Sequence, residues 1–474
     1  MMRRVLIPIS GALALSACAT TTVPQAPGPA DVAMPGQFAA DYRPPLDTDG
    51  NWWEGFGDPR LDELVERALA ANLDIATTRE RLASSRALLR AARGDRLPSV
   101  DGVADVGIDA TSNDIGVTLS PGAVALFDPD ISGRLSAQIE AAAARVAAAE
   151  YLVADRERLV AAEVAQQYIE LRRTGERLLL LRESTRLQEQ TLRIVTLRFE
   201  AGLSANLDVR RAAADLAQTR AQSGLLELQR ARAAHALAVL TGDVPRQAPP
   251  VDQESGSVPA FTAGPALGVP ADLLRRRPDL LVAEADLMEA AANVGIERAD
   301  LRPSLTISGQ VLLGDGSFGG IVSDFLGSLG AALDLPMFDG GRRRAEINAA
   351  QYELQARFLE YRQGVLGVMG EVENALVAIE AYSNRNADLE QAITESERAF
   401  EQSNALYREG LASLFDVLDS QRQLISSRQA LIDSEAALAA SFVDLYAAVG
   451  MPSAASRTVR VDVEGMDAPQ GFEP

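Results

Sequence analysis

Residues 200–214 read EAGLSANLDVRRAAA, and residues 408–422, a constant 208 positions later, read REGLASLFDVLDSQR. The same displacement carries Gly133-Arg134 onto Gly341-Arg342, Gly202-Leu203 onto Gly410-Leu411, Asp208-Val209 onto Asp416-Val417 and Gly242 onto Gly450. A register kept across landmarks so far apart means that a whole structural unit is written twice, and the two copies must fold alike.

Each copy passes from helix to alternation and back to helix. After Asp58-Pro59 the apolar residues Leu61, Leu64, Val65, Ala68 and Leu69 recur at helical spacing, which predicts one helix to about Gly94, ahead of Pro98. From Val100 to Ala110 the even positions are apolar or glycine and the odd ones are mostly Asp or Gly. Past a turn at 111–114, Ile115, Val117, Leu119, Ala123, Ala125 and Phe127 hold the odd positions, so a hairpin is expected over 98–128 with one apolar face. Gly133 to Gly202 holds almost no breaker and predicts a helix of about 68 residues, roughly 100 Å at 1.5 Å per residue, with Tyr168, Gly175 and Phe199 as candidate irregularities. A helix over 204–240 follows. The second copy repeats the order: helix 278–300, hairpin 303–338, long helix 341–409 and helix 413–449.

The first residues have a different character. Arg3 and Arg4, an apolar run from Val5 to Leu15 and the small-residue site Leu15-Ser16-Ala17-Cys18 have the layout of an export signal, too short to span a bilayer. Cys18 is the only cysteine, so no internal disulfide or CxxC site exists, and it stands where a bacterial lipobox places the residue that is lipidated. Ala19, not Asp, follows it, as in the sorting rule for the outer membrane. Loss of the two signal arginines takes the formal charge from −21 to −23, which gives nucleic acid no basic surface to bind.

One cysteine and one histidine exclude most thiol, metal and His-dependent chemistry, and no nucleophile elbow, P-loop or dinucleotide fingerprint is present, so neither an enzyme nor a cofactor is expected. His235, in ARAAHALAVL, reads as a packed or interface residue of a helix. Trp52-Trp53 reads as an arm packed on the helices, and Arg275 to Arg277 as helix-packing or salt-bridging residues. Six prolines between Val244 and Pro270 predict a linker. The divisions expected are a signal at 1–17, a lipidated tether at 18–57, repeat units at 58–243 and 269–450 with a linker at 244–268, and a tail at 451–474.

Strands of about ten residues are long enough to cross a bilayer when tilted, yet four of them cannot close, and open edges are not tolerated in lipid. Pairing with further copies removes the edges, and three copies make about twelve strands with lipid outside and water inside. A soluble sandwich and a plain coiled-coil rod are the alternatives. The alanine-rich long helices, with stripes such as Val365, Val368, Val372 and Ala375, suit lateral packing into an extended tube. The expected fold is therefore an α+β membrane protein: a trimeric 12-stranded β-barrel, four strands per chain, joined to a long α-helical barrel.

After the tether, the chain resembles the TolC-like outer-membrane channels, in particular their lipoprotein branch of OprM and NodT type. The resemblance rests on WWEGFGDPRLDELVERALAANLDI at 52–75, VPADLLRRRPDLLVAEADLMEAAANVGIERADLRPSLTISG at 269–309, PMFDGG at 336–341 and the two Gly-Leu segments. FDPDISGR departs from it, with Pro129 and Ile131-Ser132 where relatives tend to carry a hydrophobic-aromatic pair. It implies a homotrimer seated in outer-membrane lipid with its helical barrel in the periplasm. It further implies an exit duct for small molecules in a tripartite system with a periplasmic adaptor and an inner-membrane RND-type pump. A duct for type I protein secretion and a non-conducting scaffold are the rival readings.

The resemblance also implies that the Gly-Leu segments are periplasmic tips where the tunnel narrows. Tyr407, Asp416, Asp419 and Arg422 match a tip tyrosine, two pore-facing aspartates and an arginine of the constriction. Residues three apart share a helix face, so in a trimer the two acids stack as carboxylate rings that attract cations. Ser413 and Asp416 also have the spacing of a helix-capping pair, which is compatible with that role. Arg211 stands in the first copy where Asp419 stands in the second, beside Arg210, and the pair is a candidate basic counterpart that braces a neighbour's acids.

Overall fold

The computed structural model describes residues 23–28, 35–36, 38, 51–111, 114–247, 257–262, 276–313 and 325–450; Cys18, the signal, most of the tether and the tail lie outside them. A 3-10 turn at Trp52–Phe56 precedes α1 (Pro59–Ala71) and α2 (Leu73–Gly94), then β1 (Ser99–Thr111), β2 (Asp114–Phe127), α3 (Arg134–Glu200) and α4 (Asn206–Leu240). The second copy supplies α5 (Pro278–Ala299), β3 (Ser304–Leu313), β4 (Phe325–Asp334), α6 (Arg342–Arg408) and α7 (Leu414–Val449). Both long helices have 67 residues, and both ends of α6 lie 208 positions after those of α3. Among the described residues no helix is long and apolar enough to cross a membrane.

Gly175 does not interrupt α3, and neither do Tyr168 and Phe199. A glycine costs about 1 kcal/mol against alanine in a helix, too little to break one whose neighbours keep their ladder. The expected single helix over 58–94, by contrast, is cut at Asn72. Its Oδ1 accepts from the N–H groups of Asp74 at 2.9 Å and Ile75 at 3.2 Å, and its Nδ2 donates to the carbonyl of Leu240 at 3.0 Å. A short amide side chain that caps its own backbone competes with the helix ladder, and here it starts a new helix.

The four strands form one antiparallel sheet in the order β1-β2-β3-β4. Pairing across it puts Val100, Ala125, Gly309 and Leu329 in one row and Phe127, Ile307 and Ala331 in another, so one face is apolar on every strand. The alternate row, Asp101, Val124, Gln310 and Ser328, is mixed, because Val124 and Leu126 break the polar pattern expected for β2. The described β2–β3 ladder pairs Phe127 to Gly122 of β2 with Ile307 to Leu312 of β3. Leu329 on the apolar face is 84% exposed, and among the described residues no strand lies beside the outer edges of β1 and β4.

The chain divides into two compact units. One holds the sheet and the helix segments within 80–151 and 280–363, with an alanine-rich core that includes Ala137, Ala141, Leu287, Ala291 and Val294. Small side chains of this kind let helix backbones approach closely.

In the other, Trp52 stacks on Tyr446 at 6.2 Å between ring centroids, as expected of a packed arm. The linker composition hides a packed segment: Phe261 stacks on Phe442 at 4.4 Å, Val258 N–H donates to Glu176 at 3.0 Å, and Thr262 N–H to Gly55 at 2.9 Å. One half-buried aromatic ring, with the buried Val258 beside it, is enough to pin a short extended piece that proline content alone marks as a tether.

Arg277 is the buried clamp of this unit, its side chain 4% exposed. It donates to both oxygens of Asp279 at 2.8 and 2.5 Å, to Glu371 at 2.6 Å and to the carbonyl of Ala448 at 2.8 Å, tying α5, α6 and the end of α7 together. Gly450, at φ +73°, lies so close that a Cβ there would stand 2.6 Å from Arg277 Cγ. His235 is exposed, not packed: α4 buries Ala233, Leu237 and Ala238, and that stripe turns residue 235 outward.

Candidate functional site

The two Gly-Leu segments are helix-to-helix turns built alike. Gly202 and Gly410 take the left-handed conformation, at φ +75° and +77°, that ends α3 and α6. Leu203 N–H then donates to Arg198 O at 2.7 Å and Leu411 N–H to Leu406 O at 2.9 Å, and the glycine N–H groups return to Phe199 O and Tyr407 O. These bonds satisfy the last carbonyls of each helix and reverse the chain within a few residues.

The turns pack on a shared apolar cluster. Val195 of α3, Tyr407 of α6 and Leu414, Val417 and Leu418 of α7 are buried together, with Val209 of α4 and Phe400 of α6 against them. Tyr407 is 9% exposed, and the Arg198 guanidinium lies over its ring at 4.9 Å from the centroid. Burial pushes the phenol pKa up; Arg198 opposes that and Asp208 adds to it. Its hydroxyl is buried with no hydrogen-bond partner among the described residues.

Asp416 caps α7. Its Oδ2 accepts from Ser413 N–H at 2.9 Å and from Ser413 Oγ at 2.7 Å, while its own N–H donates to Ser413 Oγ at 3.3 Å. The Ser413 hydroxyl and N–H hold the carboxyl below its ordinary value of 3.8. Asp419, one turn on, is exposed beside it, and the buried side of the turn is Leu414, Val417 and Leu418. Arg422 lies 3.7 Å from Asp419, and its Nε donates to Asp215 Oδ2 of α4 at 3.3 Å.

The structure therefore brings Arg422 to Asp419, sets Asp416 in the cap and places Tyr407 in the core behind both. Arg210 and Arg211 are exposed on α4, and within the chain they meet neither acid. Sequence reading missed Arg198 and Asp215. Asp215 lies 207 residues from its partner, and the copy-to-copy displacement carries it onto Gln423, so neither local spacing nor the repeat points to it. Among the described residues no group of three or more His, Cys, Asp or Glu has the layout of a metal site.

Both repeat units match one family model, that of the outer membrane efflux proteins, over residues 64–243 and 269–451. Among curated proteins, the pyoverdine export outer membrane protein OpmQ of Pseudomonas aeruginosa is 31% identical over 421 residues, 86% of this chain and 88% of that one. Nodulation protein T of Rhizobium leguminosarum bv. viciae is 30% identical over 373 residues, covering 77% and 76%. Among solved structures, the outer-membrane channel OprN superposes with a TM-score of 0.80 at 31% identity, over 90% of this chain and 98% of that chain. The channel CusC does so with a TM-score of 0.77 at 26% identity, over the same shares, 90% and 98%.

Proposed function

This chain belongs to the outer membrane efflux protein family, and from that premise we infer that it is the outer-membrane exit duct of a tripartite RND-type efflux system. It conducts small molecules such as drugs or toxic compounds passively; the pump supplies the energy and the adaptor joins pump to duct. The observation that carries the reading is the pair of unpaired sheet edges beside an exposed apolar face. Such a sheet is stable in lipid only when β1 of one copy closes on β4 of the next, and three copies give the twelve-stranded barrel.

Cys18, lipidated, anchors each copy to the membrane that the barrel crosses. At the periplasmic end Asp416 and Asp419 form the constriction: they are exposed, one turn apart, and repeated by symmetry, so their carboxylates favour cations and repel anions. Arg422 steadies Asp419 from the same helix, and Tyr407 holds the turn from behind. Arg210 and Arg211 are free to brace the acids of a neighbouring copy. Partner choice lies with the adaptor, and substrate choice with adaptor and pump.

Purified trimers in planar bilayers test the reading. Wild type should conduct with a preference for cations, and Asp416→Asn with Asp419→Asn should weaken that preference; absence of conductance in both would point to a scaffold. Replacing Arg210 and Arg211 by alanine should raise single-channel conductance, and an unchanged value removes the brace.

A further inference from the structure

The core of the tip is not continuous. Its terminal cluster around Val195, Tyr407 and Leu418 is distinct from an inner cluster of Leu178, Leu181 and Leu226, and the level between them, where Leu216 and Leu424 are the buried apolar residues, carries a belt of polar side chains. Three consecutive residues of α7 build most of it. Successive residues of a helix point about 100° apart, so each meets a different neighbour. Ser420 Oγ meets Ser403 Oγ of α6 at 2.8 Å, and Arg422 reaches Asp215 of α4 at 3.3 Å. Gln421, between them, turns into the core.

Gln421 is 2% exposed, and neither its Nε2 nor its Oε1 has a hydrogen-bond partner among the described residues. Gln188 of α3 is 4% exposed, and its Oε1 has none either. A cavity of about 170 Å³ adjoins the belt, lined in part by Gln188, Asp215, Gln222, Arg422 and Gln429. A buried amide without a hydrogen-bond partner in the protein penalises the packed arrangement. Exposure of the same amide carries no such penalty.

Resting on the duct reading above, we propose that Gln421, with Gln188, is a gating residue of the tip: the belt is the seam at which the terminal cluster parts from the inner one. Opening hands the amides to water and so favours the open form. Ser403–Ser420 and Arg422–Asp215 clasp the seam from either side, and a leucine at 421 would make the two clusters one.

The test uses the full-length trimer, read by single-channel recording and by hydrogen exchange of residues 414–420. Gln421→Leu should lower the open fraction, and slow exchange, by about tenfold, and Gln421→Glu, whose charge resists burial, should raise both by a similar factor. A residue that only filled space would not reverse sign between these variants. Shifts in the same direction, or exchange unchanged from wild type, overturn the proposal. Absence of conductance in both the wild type and the variant with Asp416→Asn and Asp419→Asn, with opposite exchange shifts in the two Gln421 variants, overturns the duct reading and leaves the seam standing. Should Gln421→Leu fail to assemble, Gln188→Leu gives the same reading with the same expected loss of opening.

Discussion

Truncating Tyr407 to alanine should open the tip, whereas removing only its hydroxyl should tighten it. The ring is 9% exposed within a cluster of five buried residues, and Arg198 lies over it at 4.9 Å. Deleting a buried aromatic ring costs about 3–5 kcal/mol, and the small size of this cluster puts the loss near the lower end. Loss of the cation–π contact adds about 0.5–1 kcal/mol. The sum, about 3–4 kcal/mol, corresponds to more than about a hundredfold in the local opening equilibrium, at 1.4 kcal/mol per factor of ten.

Tyr407→Phe keeps the ring and the Arg198 contact and deletes an oxygen that is buried without a partner. It should be neutral or stabilise by up to about 1 kcal/mol. Single-channel recording and hydrogen exchange of residues 405–418 measure both variants. Exchange should accelerate strongly in Tyr407→Ala and stay level or slow in Tyr407→Phe. If Tyr407→Phe leaks as Tyr407→Ala does, the hydroxyl acts through a partner on another copy, and the argument from the intrachain core fails.

Arg277→Met should destabilise the helical unit by about 2–3 kcal/mol, less than for a fully buried charge because Glu371 is half exposed and rehydrates; faster exchange at residues 443–449 would show it. The Ser413–Asp416 cap has an acid limit with a definite sign. Because Asp416 titrates below its ordinary value of 3.8 when folded, the cap's contribution is complete above that value and is lost as pH falls through the lowered one. Exchange in the first turn of α7 should accelerate in that acid window, and Ser413→Ala should weaken the dependence. Cys18→Ser should abolish incorporation of radiolabelled palmitate by expressing cells, and retained label would exclude this residue as the anchor.

Much of the secondary structure was legible because it depends on local rules. Alanine-rich runs without proline propagate as helix, period-two alternation makes strands, and left-handed glycines end helices, so α3 and α6 close at Gly202 and Gly410 in the same way. The Ser413–Asp416 capping pair was readable from spacing for the same reason. Asn72 was not, since its helix-splitting bonds compete with a ladder that the surrounding residues equally support. The segment 257–262 was not, because one phenylalanine among prolines decides its packing. Gln421 is the clearest case: a glutamine in a charged helix reads as surface, and only the arrangement of four helices shows it buried.

By itself the amino-acid order determined that one unit is built twice, where its long helices and hairpins lie, and that four strands with an apolar face cannot close alone. Tertiary structure decided which distant residues meet: Arg422 with Asp215, Arg198 with Tyr407, Arg277 with the end of α7, and Gln421 with no partner among the described residues. The division has a physical cause. Turns, caps and periodicities are set within a few residues along the chain, whereas the burial of a side chain and the identity of its partner depend on how helices hundreds of residues apart are laid side by side.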